Sequence, residues 1–342
     1  MIFKTREVDG ESVLSETGCL LIVLSIPLWP LILPLIFIYS FLSSERESSR
    51  STYARHSKIL GSERWWQRRF FQSSEIDPAV FWLTDIRYRE VNIPKSTGGT
   101  RTLSVPDADL KSLQALIAFR LQMQLRQKIH KCANAYVSGR STITNARPHL
   151  GCAVLLKLDI KQFFESVKKE QVRPWIFSVF RANALTDRVV DLVFSERGLP
   201  QGAPTSPLLS NLVLRRLDIK LYQECNRLGA IYTRYADDIT ISLKEDDSTR
   251  VRYLIKLVED LLGRDGFVLN KKKGKLQVLR PHQAQRICGV TINSGSLTIS
   301  RQQRRLLRSA KHRKKNGSES TFSDDQLAGW DAYVGMIMNG NC

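Results

Sequence analysis

The sequence predicts an α+β protein with one long uncharged segment near its N terminus. Amphipathic helical patterns alternate with short apolar runs bounded by turn residues, as expected for helices between antiparallel strand pairs. The 342 residues, 42% of them apolar, are enough for two or three packed domains. Intrinsic disorder and small disulfide-stapled scaffolds are therefore excluded.

The charge balance points to a polyanionic partner. Lys and Arg number 52 against 33 Asp and Glu, which gives a formal net charge of +19. A surface that repels itself this strongly is typical of a nucleic-acid-binding protein. Six cysteines occur without any Cys-x-x-Cys pair, which argues against a structural zinc site and favours a reducing compartment.

The N-terminal region predicts a membrane association. After a tail (1–18), residues 19–42 contain no charge, and a helix of this length reaches about 36 Å against a hydrocarbon layer of about 30 Å. The acidic tail does not fit a cleaved signal peptide. A basic Ser- and Arg-rich tether (43–62) follows, which places the remainder in the cytoplasm. Three prolines within 19–42 leave open a kinked span or a re-entrant hairpin, and a buried core helix is the alternative.

The rest of the chain predicts a hairpin followed by helices and strands. Residues 86–105 form two extended runs around a Ser-Thr-Gly-Gly tip, and Asp107 is a plausible cap for the next helix. Helices are predicted over 107–131, most of 167–194, 208–228 and 251–262. Strands are predicted over 155–160, on both sides of a turn within 231–243, and around 276–279 and 287–299.

Three carboxylates are the strongest candidates for chemistry. Asp237 and Asp238 lie between two apolar runs, where a hairpin turn lets both reach one edge of a sheet. Two carboxylates about 4 Å apart repel by about 4 kcal/mol at an effective dielectric constant near 20, so a cation such as Mg²⁺ is needed between them. Asp159 ends another apolar strand and completes an all-oxygen site able to hold two ions for phosphoryl transfer.

Three ordered motifs carry a family resemblance. KLDIKQFFESV (157–167), GLPQGAPTSPLLSNLVLRRLD (198–218) and RYADDITIS (234–242) resemble the core motifs of reverse transcriptases in order and spacing. The resemblance runs from about Ile86 to the C terminus. It implies an RNA-directed DNA polymerase with a right-hand fold, whose fingers would be residues 63–150, palm 151–295 and thumb 296–342.

The resemblance also implies roles for single residues. Asp159, Asp237 and Asp238 match the metal-binding catalytic aspartates, which bind two Mg²⁺ ions, with the backbone carbonyl of Ile160 as a further ligand. Phe164 matches the aromatic gate that favours deoxynucleotides, and its neighbour Phe163 is expected in the core. The other nucleotide-binding candidates are Lys95 and Arg101 for the triphosphate, Gln201 and Gly202 for the sugar and templating pair, and Lys273 for the leaving group, with an uncertainty of one or two residues among the neighbouring lysines.

Two further stretches resemble bacterial retron reverse transcriptases. Asn145 to His149 is similar to their Asn-Ala-x-x-His signature. The segment around Gly289 stands where they carry Val-Thr-Gly, although only the glycine and a conservative isoleucine are kept. Basic residues near the C terminus recur at near-helical spacing and predict phosphate contacts. The RNA-binding candidates are Asn145, His149, Gly289, Arg301, Arg304, Arg305 and Arg308.

The resemblance implies a retron function and its partners. Such an enzyme copies part of a structured non-coding RNA into multicopy single-stranded DNA (msDNA), uses dNTPs, and serves anti-phage defence. A host ribonuclease H would remove the template, and a separate toxic effector protein is a possible partner. The expected location is the bacterial inner membrane with the catalytic part in the cytoplasm, or the cytoplasm if residues 19–42 do not insert. The alternatives are an abortive-infection or diversity-generating reverse transcriptase, a catalytically idle RNA-binding scaffold, and a membrane pore protein whose globular part only senses.

Overall fold

The computed structural model describes most of the chain after residue 77. The described ranges are 78–94, 100–181, 183–293, 295–317, 320 and 322–339, with the dipeptides 7–8 and 11–12. The dipeptides pair antiparallel as β1 (Glu7–Val8) and β2 (Glu11–Ser12). The predicted segment 19–42 and tether 43–62 lie outside the described residues. Within the described ranges, no helix has the length and apolar character needed to cross a membrane.

The elements follow the predicted alternation of helices and strands. The helices are α1 (Pro78–Leu83), α2 (Ala108–Leu125), α3 (Thr142–Ala146), α4 (Phe163–Ser166), α5 (Lys169–Phe180), α6 (Asn183–Val193), α7 (Ser206–Val213), α8 (Arg215–Arg227), α9 (Ser248–Arg264), α10 (Arg301–Lys315) and α11 (Asp324–Asn339). The remaining strands are β3 (Tyr88–Pro94), β4 (Thr100–Pro106), β5 (Val154–Asp159), β6 (Ile231–Tyr235), β7 (Asp238–Leu243), β8 (Gln277–Leu279), β9 (Arg286–Ile287) and β10 (Val290–Thr291).

The predicted hairpin and the helix after it are both present. β3 and β4 pair antiparallel from Tyr88 opposite Pro106 to Pro94 opposite Thr100. α2 begins after Asp107, whose carboxylate accepts a hydrogen bond from the Leu110 backbone N–H at 2.9 Å. This satisfies one of the four N–H groups that a helix start leaves without a partner.

A four-stranded antiparallel sheet forms the centre of the described fold. Its strand order is β6-β7-β5-β8. β5 is largely apolar, and five of its six residues are buried, four of them in the hydrophobic core or beside it. Strands buried in this way have near-continuous apolar sequences, which is why β5 was predictable. The sheet presents the ends of β5 and β7 at one edge.

The predicted helix over 208–228 is two helices. α7 ends at Val213 and α8 begins at Arg215, and Leu214 between them has ψ 0°, outside the helical range. The break lies between Asn211 and Asp218, which both bind the buried side chain of Arg234. The amphipathic pattern continues through the break, so the sequence did not reveal it.

The chain divides into two units, Met1–Ser44 with Ile299–Asn341, and Glu45–Thr298. In the first unit, α10 begins with a capping box in which Ser300 and Gln303 bond each other's backbone N–H groups. Lys311 of α10 pairs with Asp331 of α11 at 2.5 Å, and Lys314 pairs with Asp324. These contacts join α10 and α11 into a helical pair.

Candidate active site

Three aspartates meet at the edge of the sheet formed by the end of β5 and the start of β7. Asp159 is the last residue of β5 and lies directly opposite Asp238, the first residue of β7. Opposed residues of an antiparallel pair have Cα atoms about 4.5–5.5 Å apart. Asp237 occupies the adjoining turn, and its carbonyl accepts a hydrogen bond from the Ile160 N–H at 3.2 Å. We call these three carboxylates the acidic edge.

A tight turn brings the two neighbouring aspartates to the same edge. Tyr235 pairs with Asp238, so only Ala236 and Asp237 connect β6 to β7. Ala236 has φ 55°, in the left-handed region. A non-glycine residue there costs about 1–2 kcal/mol, so the surroundings must hold the turn in place.

The acidic edge is electrostatically unfavourable in the absence of a cation. Burial first, and then the carboxylates of Asp238 and Asp159, raise the pKa of Asp237 to about 7. Burial also raises the pKa of Asp238, and the Lys157 ammonium opposes this rise. The donor set is all oxygen and carries like charges. It therefore fits a hard divalent cation such as Mg²⁺.

Two neighbouring side chains hold the carboxylate of Asp159. Its Oδ1 accepts a hydrogen bond from Asn270 Nδ2 at 2.7 Å, and its Oδ2 accepts one from Lys275 Nζ at 2.6 Å. In this arrangement the described residues contain no group of three or more His, Cys, Asp or Glu side chains already set to hold a metal ion. The lysine that pairs with Asp159 is Lys275, which lies two positions after Lys273 and within the predicted uncertainty of one or two residues.

Arg101 and Tyr136 flank the acidic edge. The Arg101 guanidinium acts to lower the pKa values of Asp237 and Asp238 against the stronger effect of burial. Tyr136, which the sequence reasoning missed, has φ 61°, and burial together with Asp237 raises its pKa. The other predicted triphosphate residue, Lys95, lies outside the described residues.

The predicted gate and sugar-binding residues lie on two segments in contact. The Leu199 N–H donates to the carbonyl of Phe164 at 2.9 Å. Gly198 is required there, since a Cβ at its φ of 94° would come within 2.8 Å of the Phe164 carbonyl oxygen. The Phe164 ring is partly buried, whereas Phe163 is buried as expected.

Gln201 and Gly202 follow in the same segment and are partly exposed. Gly202 has φ 125°, and a Cβ there would lie 3.3 Å from the Ser104 carbonyl of β4. The predicted sugar-binding segment therefore lies between the gate and the β3–β4 hairpin.

The retron-like signature is in the interior. His149 is fully buried, and its ring nitrogens hydrogen-bond the hydroxyls of Ser242 at 2.7 Å and Thr233 at 2.8 Å. Burial lowers its pKa to about 3. Contrary to the expectation of RNA contact, the structure gives His149 partners on two strands of the sheet and no exposed surface. The physical reason is that both polar atoms are satisfied inside the protein.

Asn145 is also fully buried and links the signature to the predicted Gly289 element. Its Oδ1 accepts from Asn134 Nδ2 at 3.1 Å, and its Nδ2 lies 3.5 Å from Cys288 Sγ. Cys288 and Gly289 have φ values of 47° and 85° and form the turn of the β9–β10 hairpin. In this arrangement the Asn145 side chain has no exposed surface for direct contact with RNA. The two elements form one packed group.

The predicted basic residues near the C terminus lie along α10. Arg301, Arg304, Arg305 and Arg308 are all exposed, whereas Leu307 and Ala310 of the same helix are buried. α10 therefore presents its arginines to solvent.

The comparison with protein families decides which family this fold and site belong to. Residues 93–305, more than half of the chain, match the family described as "Reverse transcriptase (RNA-dependent DNA polymerase)". The chain belongs to the reverse transcriptase family. The predicted enzyme class, RNA-directed DNA polymerase, is confirmed at the level of this domain, and members of the family generally use divalent metal ions.

The reverse transcriptase is similar to curated retron enzymes. It is 35% identical over 263 residues to the retron Mx65 reverse transcriptase of Myxococcus xanthus, a match covering 72% of this chain and 60% of the relative. It is 30% identical over 316 residues to the retron Mx162 reverse transcriptase of the same organism, a match covering 82% of this chain and 62% of the relative. It is 28% identical over 266 residues to the retron Ec86 reverse transcriptase of Escherichia coli, a match covering 75% of this chain and 78% of the relative. The matches thus span about three-fifths of the length of the two Myxococcus relatives.

A comparison with solved structures matches telomerase from Candida albicans in complex with a TWJ fragment of telomeric RNA. The sequences are 12% identical, the TM-score is 0.48, and the match covers 80% of this reverse transcriptase and 58% of the telomerase chain.

Proposed function

We propose that this protein is the RNA-directed DNA polymerase of a retron, which copies part of a structured non-coding RNA into multicopy single-stranded DNA. One observation carries the proposal: the strand register sets Asp159 opposite Asp238, with Asp237 in the adjoining turn. The similarity to retron enzymes over about three-quarters of the chain supports the retron type. The presence of all three aspartates argues against a catalytically idle scaffold.

The acidic edge would hold two Mg²⁺ ions. When bound, these ions supply activation of the attacking oxygen and stabilisation of the leaving oxygen in phosphoryl transfer. Asp159, Asp237 and Asp238 would provide carboxylate ligands, with the Ile160 carbonyl as a further oxygen. The rise in the pKa of Asp237 supports this role, because a group of repelling carboxylates gains most from a cation.

The residues around the acidic edge would bind the incoming dNTP. Arg101, whose charge acts on the aspartates, would hold the triphosphate, with Lys95 on the hairpin tip assisting. Lys275 pairs with Asp159 and would exchange this partner for the phosphate of the leaving group. Phe164 would exclude a 2′-hydroxyl, and Gln201 with Gly202 would line the sugar and the templating pair.

The right-hand division assigns residues 63–150 to the fingers, 151–295 to the palm and 296–342 to the thumb. The exposed arginines of α10 would neutralise phosphates of the RNA–DNA duplex, which is read by shape and by its 2′-hydroxyls. The group formed by Asn145, His149 and the β9–β10 turn around Gly289 would support an RNA-contacting surface from inside. This role differs from direct contact by their side chains.

Membrane tethering and defence complete the proposal. The 24 uncharged residues of 19–42 and the Arg-rich tether would anchor the enzyme in the bacterial inner membrane with its catalytic part in the cytoplasm. The RNA–DNA product would restrain a separate toxic effector during anti-phage defence, and a host ribonuclease H would remove the template. Recovery of the full-length protein in the soluble fraction without detergent would contradict the tether.

The decisive experiment is to purify the full-length protein and sequence the nucleic acid that accompanies it. A Asp237→Asn, Asp238→Asn double variant serves as the control. We expect RNA covalently joined to single-stranded DNA with the wild type, and RNA alone with the control. Recovery of RNA without DNA from both proteins would contradict the polymerase function. Recovery of DNA not joined to RNA would favour the abortive-infection or diversity-generating type.

A further inference from the structure

Arg234 is a cation in the interior of the sheet, three residues before Asp237. Its side chain has no exposed surface, and neither does that of its ion-pair partner Asp218. A buried guanidinium needs acceptors for its five N–H groups, since unpaired burial of a charge costs several kcal/mol. The acceptors of the Arg234 guanidinium show which parts of the structure this side chain holds in place.

The hydrogen bonds of Arg234 reach the turn of the acidic edge. Nε and Nη2 donate to the two carboxylate oxygens of Asp218 at 2.8 and 2.7 Å. Nη1 donates to Asn211 Oδ1 at 3.1 Å and to the carbonyl oxygen of Ala236 at 2.8 Å. Because Ala236 is the left-handed residue immediately before Asp237, this last bond fixes the peptide from which the Asp237 carboxylate projects.

The backbone of the same arginine also holds the segment that leads to Tyr136. Its backbone N–H donates to the Cys132 carbonyl at 2.8 Å, and its carbonyl accepts from the Asn134 N–H at 2.7 Å. Asn211, bound to Arg234, donates to the Ala135 carbonyl at 2.9 Å. The next residue is Tyr136, the second left-handed residue at the site. Two costly backbone conformations near Asp237 are therefore tied to Arg234, that of Ala236 through its side chain and that of Tyr136 through its backbone and Asn211.

We propose that Arg234 is a positioning residue of the polymerase site, which sets the orientation of the Asp237 carboxylate through the Ala236 carbonyl without touching substrate. The inference rests on the proposed function of the acidic edge. A role in stability alone would not require the bond to the turn, because the fork to Asp218 already pairs the charge. Buried ion pairs are also replaced by neutral groups without loss of stability in many proteins.

The test compares two variants of Arg234 with a control from the same network. Arg234→Lys keeps the charge but loses the planar fork. In the second variant, Arg234→Met with Asp218→Asn, both charges are removed and an acceptor remains for the Tyr232 hydroxyl, which donates to Asp218 at 2.7 Å. The control Tyr232→Phe removes one buried hydrogen bond of the network that does not reach the turn.

The readouts are kcat and KM for dNTP on a primed RNA template, Mn²⁺ binding followed by EPR of the free ion, and the thermal midpoint. For both Arg234 variants we expect a fall in kcat of about 10²-fold with KM within about twofold, since a misplacement of about 1 Å has this effect. Mn²⁺ affinity should fall about tenfold as the ligands lose their alignment. Tyr232→Phe should lower the thermal midpoint and leave kcat and Mn²⁺ affinity unchanged.

A rescue experiment separates positioning from stability. Glycine adopts positive φ without the cost that alanine carries. Adding Ala236→Gly to Arg234→Lys should therefore recover about tenfold in kcat, whereas adding it to Tyr232→Phe should raise the thermal midpoint and leave kcat unchanged. The proposal is overturned if the folded Arg234 variants keep wild-type kcat, if Tyr232→Phe loses as much kcat as they do, or if neither Arg234 variant folds. An inactive wild type would instead contradict the proposed function itself.

Discussion

The acidic edge lies on the central sheet and the retron-like signature hydrogen-bonds two strands of the same sheet, yet their electrostatics are opposite. At the acidic edge, three carboxylates of like charge lie together, and the pKa of Asp237 rises to about 7. In the signature, His149 and Asn145 are fully buried and their polar atoms have internal partners. The carboxylates of the acidic edge repel one another, and this repulsion is not fully compensated within the protein. The polar atoms of the signature are already paired.

The difference shows which motif residues call for a ligand and which serve as internal connections. A satisfied buried polar group gains nothing from a new partner, because it would first have to break the bonds that it has. Repelling carboxylates at an accessible edge gain directly from a cation. Sequence signatures do not separate the two cases, because the same residue types serve both.

The largest expected effect follows from breaking the acidic edge. Asp237→Asn should lower the rate of DNA synthesis by at least about 10³-fold, because it removes a metal-binding charge worth several kcal/mol in the transition state. The thermal midpoint without divalent ions should rise, because a repelling charge is removed. Single-turnover primer extension and thermal unfolding measure the two effects. Undiminished synthesis would remove the catalytic assignment.

The pH dependence of stability provides the control. The folded-state pKa of Asp237 lies above its unfolded value, so the folded state binds the proton more tightly. The wild type should therefore lose stability as pH rises from about 4, the ordinary aspartate value, to about 7 in the absence of metal. In Asp237→Asn, the part of this stability loss that comes from the Asp237 carboxylate should be absent. An identical pH profile in both proteins would mean that the carboxylates do not repel as the geometry indicates.

The next effect distinguishes two lysines on the same loop. Lys275→Met should lower kcat by about 10²-fold, because it removes the cation paired with Asp159 and available to the leaving phosphate. Lys273→Met is the matched control, with the same change of charge two residues away, and should stay within about twofold. Primer extension at saturating dNTP measures both variants. Equal losses would show that only the net charge of the loop matters.

These two lysines show a part of the site that the sequence alone did not determine. The three aspartates were predictable because they stand in motifs that resemble those of reverse transcriptases, and each also adjoins an apolar run whose end can meet the others at one sheet edge. Lys275 was not distinguishable from its neighbours, since a run of four lysines around one glycine has no periodicity that fixes which side chain faces the sheet. The contact with Asp159 depends on the path of the loop after Asn270, which only the fold defines.

A third prediction tests the buried signature through His149. His149→Ala should destabilise the protein by about 2–3 kcal/mol, because the hydroxyls of Ser242 and Thr233 lose their partner. The RNA affinity of the folded protein should not change, contrary to the expectation from the signature. Urea unfolding and an RNA-binding titration measure the two effects. A tenfold loss of RNA affinity without destabilisation would return His149 to the RNA interface.

The low pKa of His149 adds a pH signature to this variant. Its folded-state pKa of about 3 lies below the unfolded value, so the unfolded state binds more protons at intermediate pH. The wild type therefore loses stability as pH falls from about 6.5 towards 3, and the alanine variant lacks this loss. The stability gap between the two proteins should narrow on acidification.

The sequence left open, for a definable reason, whether the signature contacts RNA or is buried. Asn145 and His149 were RNA-binding candidates because the stretch resembles a retron signature, although a single histidine is more often a satisfied loop or core residue. Their burial results from β6 and β7, which lie more than eighty residues later in the chain and supply the hydroxyl partners. The Arg234–Asp218 pair was missed for the same reason, although an arginine inside an apolar strand was a visible signal.

The smallest expected effect concerns Phe164, which follows Asp159 by five residues and carries no charge. Phe164→Val should change the preference for dNTP over rNTP by about tenfold and leave the rate with dNTP within about twofold, because the ring would act by steric exclusion and contributes no charge. Phe163→Leu is the matched control, since that buried ring is expected to affect stability only. Competition between dNTP and rNTP in primer extension measures the preference. If both variants discriminate like the wild type, sugar selection lies elsewhere, and the Gln201–Gly202 segment against β4 becomes the next place to examine.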